Sequence, residues 1–223
     1  MIDSGIYGRK IAIRFAFRFS LEICFPLMEP ESGPAERQIQ LDWLNGIVEG
    51  AGVRTSITRL GQLKGVFRDQ PAWGSMNPDT VVYSVQWHEP VIPGTTGALS
   101  WGSTTIEPGC VGGEYFMTRG HFHAKRDRGE YYTTAQGTGM LVLMGEDRVA
   151  RVEAMSPGSL HYIPGYTAHR TLNTGDVALI FWACWPSDAG HDYETITRHG
   201  FSVRVMKHDG TPTIIPEETS VLR

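Results

Sequence analysis

The chain has 223 residues, of which 41% are hydrophobic and 20% are charged. These proportions are ordinary for a globular protein, and the length is enough for one sizeable core. The formal net charge is −4, from 20 basic and 24 acidic residues. A weakly negative chain argues against nucleic acid or an anionic membrane as the main partner, whereas a small phosphorylated ligand needs only a local positive site.

Three cysteines are present, Cys24, Cys110 and Cys184. Because their number is odd and no CxxC spacing occurs, we expect no disulfide framework and predict a reducing, cytoplasmic location. No stretch of the sequence reaches the apolar length of a transmembrane helix, so we predict no membrane partner.

The N-terminal region alternates strictly between large apolar residues and polar or small ones. This alternation predicts one long strand at 9–25 with a single buried face. An export signal does not fit, because Arg14, Arg18 and Glu22 interrupt the apolar core that such a signal needs. A translation start at Met28 is an alternative for this region.

Residues 28–39 contain two prolines and one glycine among mixed charges, which is typical of a linker. We therefore expect an N-terminal strand and linker over 1–40 and one barrel domain over 41–223. A short helix is expected around 69–73, and short β-rich runs separated by turn residues follow. These runs are 80–87, 114–120, 139–145, 148–155, 159–164 and 177–185. Many short strands of this kind predict an all-β sandwich or barrel.

Two histidines lie two positions apart in "GHFHAKRDRGEYY" (120–132). On a strand, residues i and i+2 point to the same face, so His121 and His123 can reach one ion. The segment "AKRDRG" (124–129) is typical of a turn, and Glu130 then opens the next strand. A hairpin would place this glutamate beside the histidine pair. Nitrogen and oxygen ligands in this mixture suit Fe²⁺, Mn²⁺, Ni²⁺ or Zn²⁺.

A third histidine strengthens the metal hypothesis. His169 follows a Pro-Gly turn at the end of the run 159–164. Taken alone, the histidine pair or His169 is better explained as surface or packing residues. A pair of histidines, a glutamate and a later histidine after such a turn are together typical of a metal site.

The same residues resemble the two cupin motifs, G(X)5HXH(X)3,4E(X)6G and G(X)5PXG(X)2H(X)3N. Three features depart from those motifs: Tyr115 stands for the opening glycine, Tyr166 replaces the inner glycine of PXG, and six residues separate His123 from Glu130. The positions that fit are His121, His123, Glu130, Gly137, Gly158, Pro164, His169 and Asn173.

The wider spacing is itself typical of one family, the cupin-type phosphoglucose isomerases. The chain resembles that family in three long blocks, at 46–60, 105–132 and 162–196. The resemblance extends over 41–207 and leaves the predicted strand at 9–25 outside it. It implies a cupin double-stranded β-helix, a jelly-roll-like barrel with few short helices, to which the N-terminal strand is an addition.

The resemblance also implies an activity, the reversible conversion of glucose 6-phosphate to fructose 6-phosphate. Hydrogen moves between C1 and C2 in this reaction, through an enediolate that a metal stabilises or through a hydride shift. One divalent metal per subunit is implied, with Fe²⁺ expected first and Mn²⁺, Ni²⁺ or Zn²⁺ as alternatives. Its implied ligands are His121, His123, Glu130 and His169.

Two residues have implied catalytic roles. Glu130 is the family's suspected general base, although a carboxylate held by a cation is a weaker base than a free one. His191, in "AGHDYETI", would pass a proton between sugar oxygens or aid ring opening, because the pKa of histidine lies near neutrality.

Seven residues are implied to contact the sugar phosphate. The phosphate group would bind to Thr104, Thr118, the backbone N–H of Gly120 and Tyr132. The sugar would contact Tyr83, Trp185 and Tyr193. Trp185 stands where the family usually has tyrosine, so a hydroxyl is lost there. The neighbouring cations Arg119, Lys125 and Arg126 are expected on a solvated face.

Two alternatives stay open: a different cupin enzyme, such as a dioxygenase or another sugar isomerase, and a non-catalytic sugar-binding cupin. The joint presence of "TRGHFH" and "AGHDYETI" favours the isomerase. We also expect a homodimer, because exposed sheet edges invite pairing and the strand at 9–25 is a candidate for crossing to a partner.

Overall fold

The computed structural model describes residues 38–217. The strand predicted at 9–25 and nearly all of the linker at 28–39 lie outside this range, so the domain division at residue 40 stays a prediction. Strands dominate the described range and both α-helices are short, which confirms the predicted all-β class. No helix between residues 38 and 217 is long and apolar enough to cross a membrane.

Fifteen strands and two α-helices make up this part of the chain. The helices are α1 (Gln70–Ser75) and α2 (Tyr193–His199), and a 3-10 turn covers Leu60–Leu63. In chain order the strands are β1 (Gln40–Asp42), β2 (Ile47–Glu49), β3 (Val53–Arg59), β4 (Val81–His88), β5 (Leu99–Ile106), β6 (Cys110–Val111), β7 (Glu114–Tyr115), β8 (Glu130–Gln136), β9 (Gly139–Gly145), β10 (Ala150–Met155), β11 (Leu160–Ile163), β12 (Thr167–Asn173), β13 (Leu179–Pro186), β14 (Val203–His208) and β15 (Thr211–Pro216).

Two antiparallel sheets form the barrel. The larger has the order β11-β8-β13-β5-β4-β3 and the smaller has the order β10-β9-β12. A further sheet has the order β15-β14-β7-β6, and β1 pairs with β2. Leu143 of β9, Phe181 of β13 and Val205 of β14 belong to one hydrophobic core. Sheets that enclose a shared core in this way form the jelly-roll-like barrel that the sequence predicted.

Strand β8 shows how alternation directs side chains into the interior. Glu130, Tyr132 and Thr134 are buried, whereas Tyr131 between them is 50% exposed. Successive side chains of a strand point to opposite faces, so one face of β8 carries polar groups into the barrel. Polar side chains on an inward face indicate a site and not only a core.

The predicted strand at 114–120 is wrong beyond Tyr115. The following residues run beside β12 and pair with it only at isolated positions, such as His121 with His169. Gly120 has a φ of +75°, which interrupts extended geometry and favours glycine. Its missing Cβ also makes room for the ring of Phe201, which would lie 2.7 Å from such an atom.

Several elements were not predicted, among them the strands β3, β5, β12, β14 and β15 and the helix α2. Strand β5 consists largely of serine, threonine and glycine, so it lacks the apolar alternation that identifies a strand. Helix α2 is seven residues long, too short for a clear helical period. Its start does carry a signal, because the Asp192 side chain accepts a hydrogen bond from the backbone N–H of Thr195.

Asn173 joins three parts of the barrel. Its Nδ2 donates to the carbonyl oxygens of Ile106 and Val177, each at 2.8 Å. Its Oδ1 accepts from the N–H of Gly175 at 2.9 Å. The residue is completely buried, so water cannot replace its side chain as the hydrogen-bond partner of these backbone groups.

We expect Asn173→Ala to lower the free energy of unfolding by about 2–4 kcal/mol, because buried carbonyl and N–H groups lose their partners. Denaturant unfolding followed by circular dichroism measures the change. Asn45→Ala is the matched control, since its side chain bonds Asp42 at the exposed surface, and its effect should stay within about 0.5 kcal/mol. Equal losses in the two variants would contradict this account.

Candidate metal centre and active site

Four side chains converge in the barrel interior. Ligand atoms of His121, His123, Glu130 and His169 all lie within 4.8 Å of one another. His123, Glu130 and His169 are buried, and His121 is half-buried. Nitrogen and oxygen atoms bound to one ion at about 2.0–2.2 Å lie within about 4.4 Å of one another. A small inward movement of these side chains therefore closes them around a single divalent ion.

The four residues come from opposing sheets. His121 exchanges two backbone hydrogen bonds with His169 of β12, with N···O distances of 3.2 and 3.0 Å, and so extends the smaller sheet. Glu130 opens β8 in the larger sheet. The expectation that a hairpin places Glu130 on the strand beside the histidines is therefore wrong. The segment 124–129 crosses between the sheets, and the carboxylate meets the histidines across the interior.

The carboxylate of Glu130 is the electrostatic centre of the cluster. Its Oε1 lies 2.7 Å from Nε2 of His169 and 3.5 Å from Nε2 of His123. Burial alone would raise the pKa of Glu130, but the two histidines outweigh burial and lower the pKa to about 2. The carboxylate therefore stays ionised at neutral pH.

Two atoms of this cluster lack hydrogen-bond partners. Oε1 of Glu130 and Nε2 of His169 are close but not aligned for a hydrogen bond, and neither has another partner among residues 38–217. Buried polar atoms are normally satisfied. A cation bound between these atoms would satisfy both, so the residues present fit a divalent metal.

A backbone carbonyl orients His123. Nδ1 of His123 lies 2.8 Å from the carbonyl oxygen of Arg128. Because a carbonyl only accepts, this contact favours a proton on Nδ1 and makes Nε2 the ring nitrogen that can bind a metal ion. Burial lowers the pKa of His123, but the interaction with Glu130 outweighs burial, and the net pKa is raised.

Aromatic rings flank the cluster. The centroids of His121 and His191 are 4.4 Å apart, and His191 stacks on Tyr193 at 5.4 Å with an interplanar angle of 2°. Burial, reinforced by neighbouring histidines, holds the pKa of His121 well below its usual value. His191 is exposed as a whole residue, yet neighbouring groups desolvate its imidazole, which lowers the pKa of His191, and His123 lowers it further. Both rings are therefore neutral at neutral pH.

A cavity of about 120 Å³ surrounds the cluster. The structure brings the whole predicted set together there, while the role of each residue toward a ligand stays a prediction. Beside the four clustered residues and His191, the wall includes Tyr83, Thr104, Thr118, Gly120, Tyr132, Trp185 and Tyr193. Burial and the charge of Glu130 hold the pKa of Tyr132 well above its usual value, so its hydroxyl keeps a proton to donate.

Arg119 was expected on a solvated face, and this expectation is only partly right. The residue is half-buried and lines the cavity. Its guanidinium donates to the carbonyl oxygen of Gln62 at 2.6 Å and lies 5.6 Å from the ring centroid of Tyr193. Its position between Thr118 and Gly120, both predicted to bind phosphate, is the signal that could have identified it.

Four further wall residues were not singled out from the sequence: Val85, Phe181, Ala183 and Gly190. Phe181 and Ala183 alternate with Trp185 along β13, so the strand period could have indicated two of them. Val85 likewise alternates with Tyr83 along β4, whereas Gly190 carries no comparable signal.

Two carboxylates fix the loops around the cavity, and the first is Asp188. Lys125 bonds Asp188 at 2.8 Å, and Arg128 bonds both of its oxygens at 3.0 Å. Arg128 and then Lys125 hold the pKa of Asp188 well below its usual range. The segment 124–129 is thereby attached to the loop before His191.

Asp192 is the second of these carboxylates. Its side chain accepts from Arg126 at 2.5 Å and from the N–H of Thr195 at 3.1 Å. Its backbone N–H donates to the carbonyl oxygen of Phe122 at 2.8 Å. These bonds hold the two residues on either side, His191 and Tyr193, against the cavity.

Comparison with known proteins identifies the family. A family model described as glucose-6-phosphate isomerase (GPI) matches residues 57–221. A glucose-6-phosphate isomerase of Thermococcus litoralis is 44% identical over 174 residues, which cover 77% of this chain and 90% of the relative. One from Sinorhizobium medicae is 37% identical over 152 residues, which cover 66% of this chain and 70% of the relative. The chain belongs to the glucose-6-phosphate isomerase family.

Membership of the glucose-6-phosphate isomerase family makes the protein an enzyme, an aldose–ketose isomerase. It confirms the resemblance that the sequence motifs indicated. Among solved structures, oxalate decarboxylase from Bacillus subtilis aligns with a TM-score of 0.39 and 21% identity, covering 49% of this chain and 26% of that one.

We expect Asp192→Ala to lower isomerase kcat by about tenfold to a hundredfold, because Arg126 and the start of α2 lose their acceptor and the site residues shift. Steady-state kinetics measure the change, with metal content determined in parallel. Asp176→Ala, at an exposed position, is the control and should keep full kcat. An Asp192→Ala enzyme with unchanged kcat would show that this contact does not position the site.

Proposed function

We propose that the enzyme interconverts glucose 6-phosphate and fructose 6-phosphate with one divalent ion per subunit. The observation that carries the proposal is the buried cluster of His121, His123, Glu130 and His169, with two polar atoms lacking partners, inside a cavity of an isomerase-family barrel. The relatives from T. litoralis and S. medicae support the substrate by their names.

The proposed ion is Fe²⁺, and the same donor set accepts Mn²⁺, Ni²⁺ or Zn²⁺. When bound, the ion would polarise the carbonyl and hydroxyl oxygens of the sugar. The chain's contribution is to orient the ligands: the carbonyl of Arg128 fixes the ring of His123, and the backbone pair between His121 and His169 fixes two more imidazoles.

The phosphate of the substrate is proposed to bind at Thr104, Thr118, Gly120 and Tyr132. These residues line the cavity and supply hydroxyl and backbone N–H donors. Arg119 adds a positive charge that the neutral donors lack, and a charge-assisted hydrogen bond to phosphate is about twice as strong as a neutral one.

Proton movement between C1 and C2 is assigned to Glu130 and His191. Glu130 is ionised and can accept a proton, and His191 is a neutral imidazole at the edge of the cavity that can move a proton between sugar oxygens. Tyr193 stacks on His191 and supports its orientation. A hydride shift would use the same cavity without requiring a base at the carbon.

Tyr83, Trp185 and Tyr193 are proposed to contact the sugar. Trp185 offers a large ring and one N–H where the family resemblance predicts a phenol. This difference favours testing a second hexose phosphate, mannose 6-phosphate, as a product beside glucose 6-phosphate. We further propose a homodimer in the cytoplasm. The proposal rests on the edge of the larger sheet at β11, which pairs with no further strand among residues 38–217, and on the odd number of cysteines.

Purified full-length enzyme should form glucose 6-phosphate from fructose 6-phosphate. It should lose at least about 90% of this activity with EDTA and recover the activity with Fe²⁺ or Mn²⁺, because the ion supplies electrophilic catalysis worth several kcal/mol. A coupled assay and chromatography of the products measure this. Heat-inactivated enzyme with the same metal is the control.

Absence of glucose 6-phosphate under every metal would reject the proposed reaction. Activity that persists in EDTA, with no metal left in the protein, would reject the proposed metal dependence. Mannose 6-phosphate as the main product would support a mannose 6-phosphate isomerase activity.

A further inference from the structure

A second cavity, of about 320 Å³, shares Arg119 with the active-site cavity. Four basic side chains lie in its wall, those of Lys64, Arg119, Arg170 and Arg204, and we call it the basic pocket. No acidic residue is found in its wall within residues 38–217. The volume lies at the lower end of the range typical of small-molecule sites.

Arg170 is the unusual member of the basic pocket. It is only 8% exposed, and its guanidinium lies 4.6 Å from the ring centroid of Phe201. Nη2 donates to the carbonyl oxygen of Arg119 at 2.6 Å. Its Nε is buried and has no hydrogen-bond partner in the described part of the chain. A buried guanidinium with an unpartnered N–H is costly, and an anion bound beside it would offset its charge.

Glu114 attracts the Arg170 guanidinium electrostatically but forms no ion pair with it. Glu114 pairs with Arg204 at 2.6 Å, and Glu217 also pairs with Arg204. Between residues 38 and 217, no ion pair joins a carboxylate to Lys64, Arg119 or Arg170. The basic pocket therefore keeps an excess of positive charge that faces an open volume.

We propose that the basic pocket is a second binding site, distinct from the active site, for a small phosphorylated anion. Guanidinium groups present several N–H donors in a plane that matches phosphate oxygens, and three arginines converge here. Lys64, at the exposed rim, adds a mobile positive charge that attracts anions from solvent.

The basic pocket and the active-site cavity share one wall residue, Arg119. Arg119 lies between Thr118 and Gly120, which line the catalytic cavity, and Arg170 follows His169 in β12. An anion in the basic pocket would interact with the guanidinium of Arg119 and so weaken its attraction for a substrate phosphate. Binding of the second anion should therefore raise the KM for the sugar phosphate.

Isothermal titration calorimetry with inorganic phosphate tests the site in the metal-loaded full-length protein at constant ionic strength. The wild type should bind two phosphates per subunit, one in each cavity. Lys64→Gln should weaken one of the two sites by about fivefold, the effect of removing one exposed charge near the anion. Arg170→Gln should abolish that same site.

Lys207→Gln is the matched control, because Lys207 is another exposed lysine and lies outside the basic pocket. It should leave both phosphate affinities unchanged. The proposal would be overturned if the wild type bound a single phosphate per subunit. It would also be overturned if both phosphate affinities were the same in wild type, Lys64→Gln and Lys207→Gln. Neither outcome depends on whether Arg170→Gln folds.

A kinetic arm rests on the proposed isomerase function, whereas the calorimetry does not. Double-reciprocal plots of the isomerase rate would be measured at several phosphate concentrations. For the wild type, their slopes should curve upward when plotted against phosphate concentration, because two bound phosphates oppose substrate binding. Lys64→Gln should make this plot of slopes straighter. A straight plot of slopes for the wild type would reject the coupling. Two calorimetric sites without any isomerase activity would retain the basic pocket and reject the proposed reaction.

Discussion

The buried carboxylate of Glu130 sets a requirement that the rest of the site meets. An ion moved from water into a protein interior costs several kcal/mol unless opposite charge and hydrogen bonds surround it. His123 and His169 supply part of that compensation, as the depressed pKa of Glu130 shows. The remaining unsatisfied atoms explain why the cluster suits a divalent ion better than a closed network of hydrogen bonds.

The barrel supports this cluster by taking its members from both sheets. The distance between the sheets determines how closely Glu130 approaches the histidines. Asp188 and Asp192 then attach the connecting loops to each other through Lys125, Arg126 and Arg128. Charged residues of a kind that usually lies on the solvated surface thus hold the walls of the cavity in place. The six-residue segment at 124–129 is therefore a structural part of the site.

Much of the site could be predicted from the sequence, because its residues occur in long, specific blocks. Each predicted site residue lines one cavity. The position of Glu130 could not be predicted from spacing, since a hairpin and a crossing between sheets both accept a six-residue connection. Strand β5 was missed because small polar residues hide its period. The basic pocket depends on Lys64, Arg170 and Arg204, which are distant in sequence and meet only through the tertiary fold.

Metal stoichiometry tests the central claim most directly. Chelator-treated protein would be titrated with Mn²⁺, and bound metal would be measured by plasma mass spectrometry. The account predicts one Mn²⁺ ion per subunit in the wild type. Glu130→Gln should bind Mn²⁺ at least about tenfold more weakly, because a charged ligand is lost. Glu49→Gln, which alters an exposed glutamate, should leave Mn²⁺ binding unchanged. Equal Mn²⁺ binding in wild type and Glu130→Gln, or no binding in the wild type, would contradict the account.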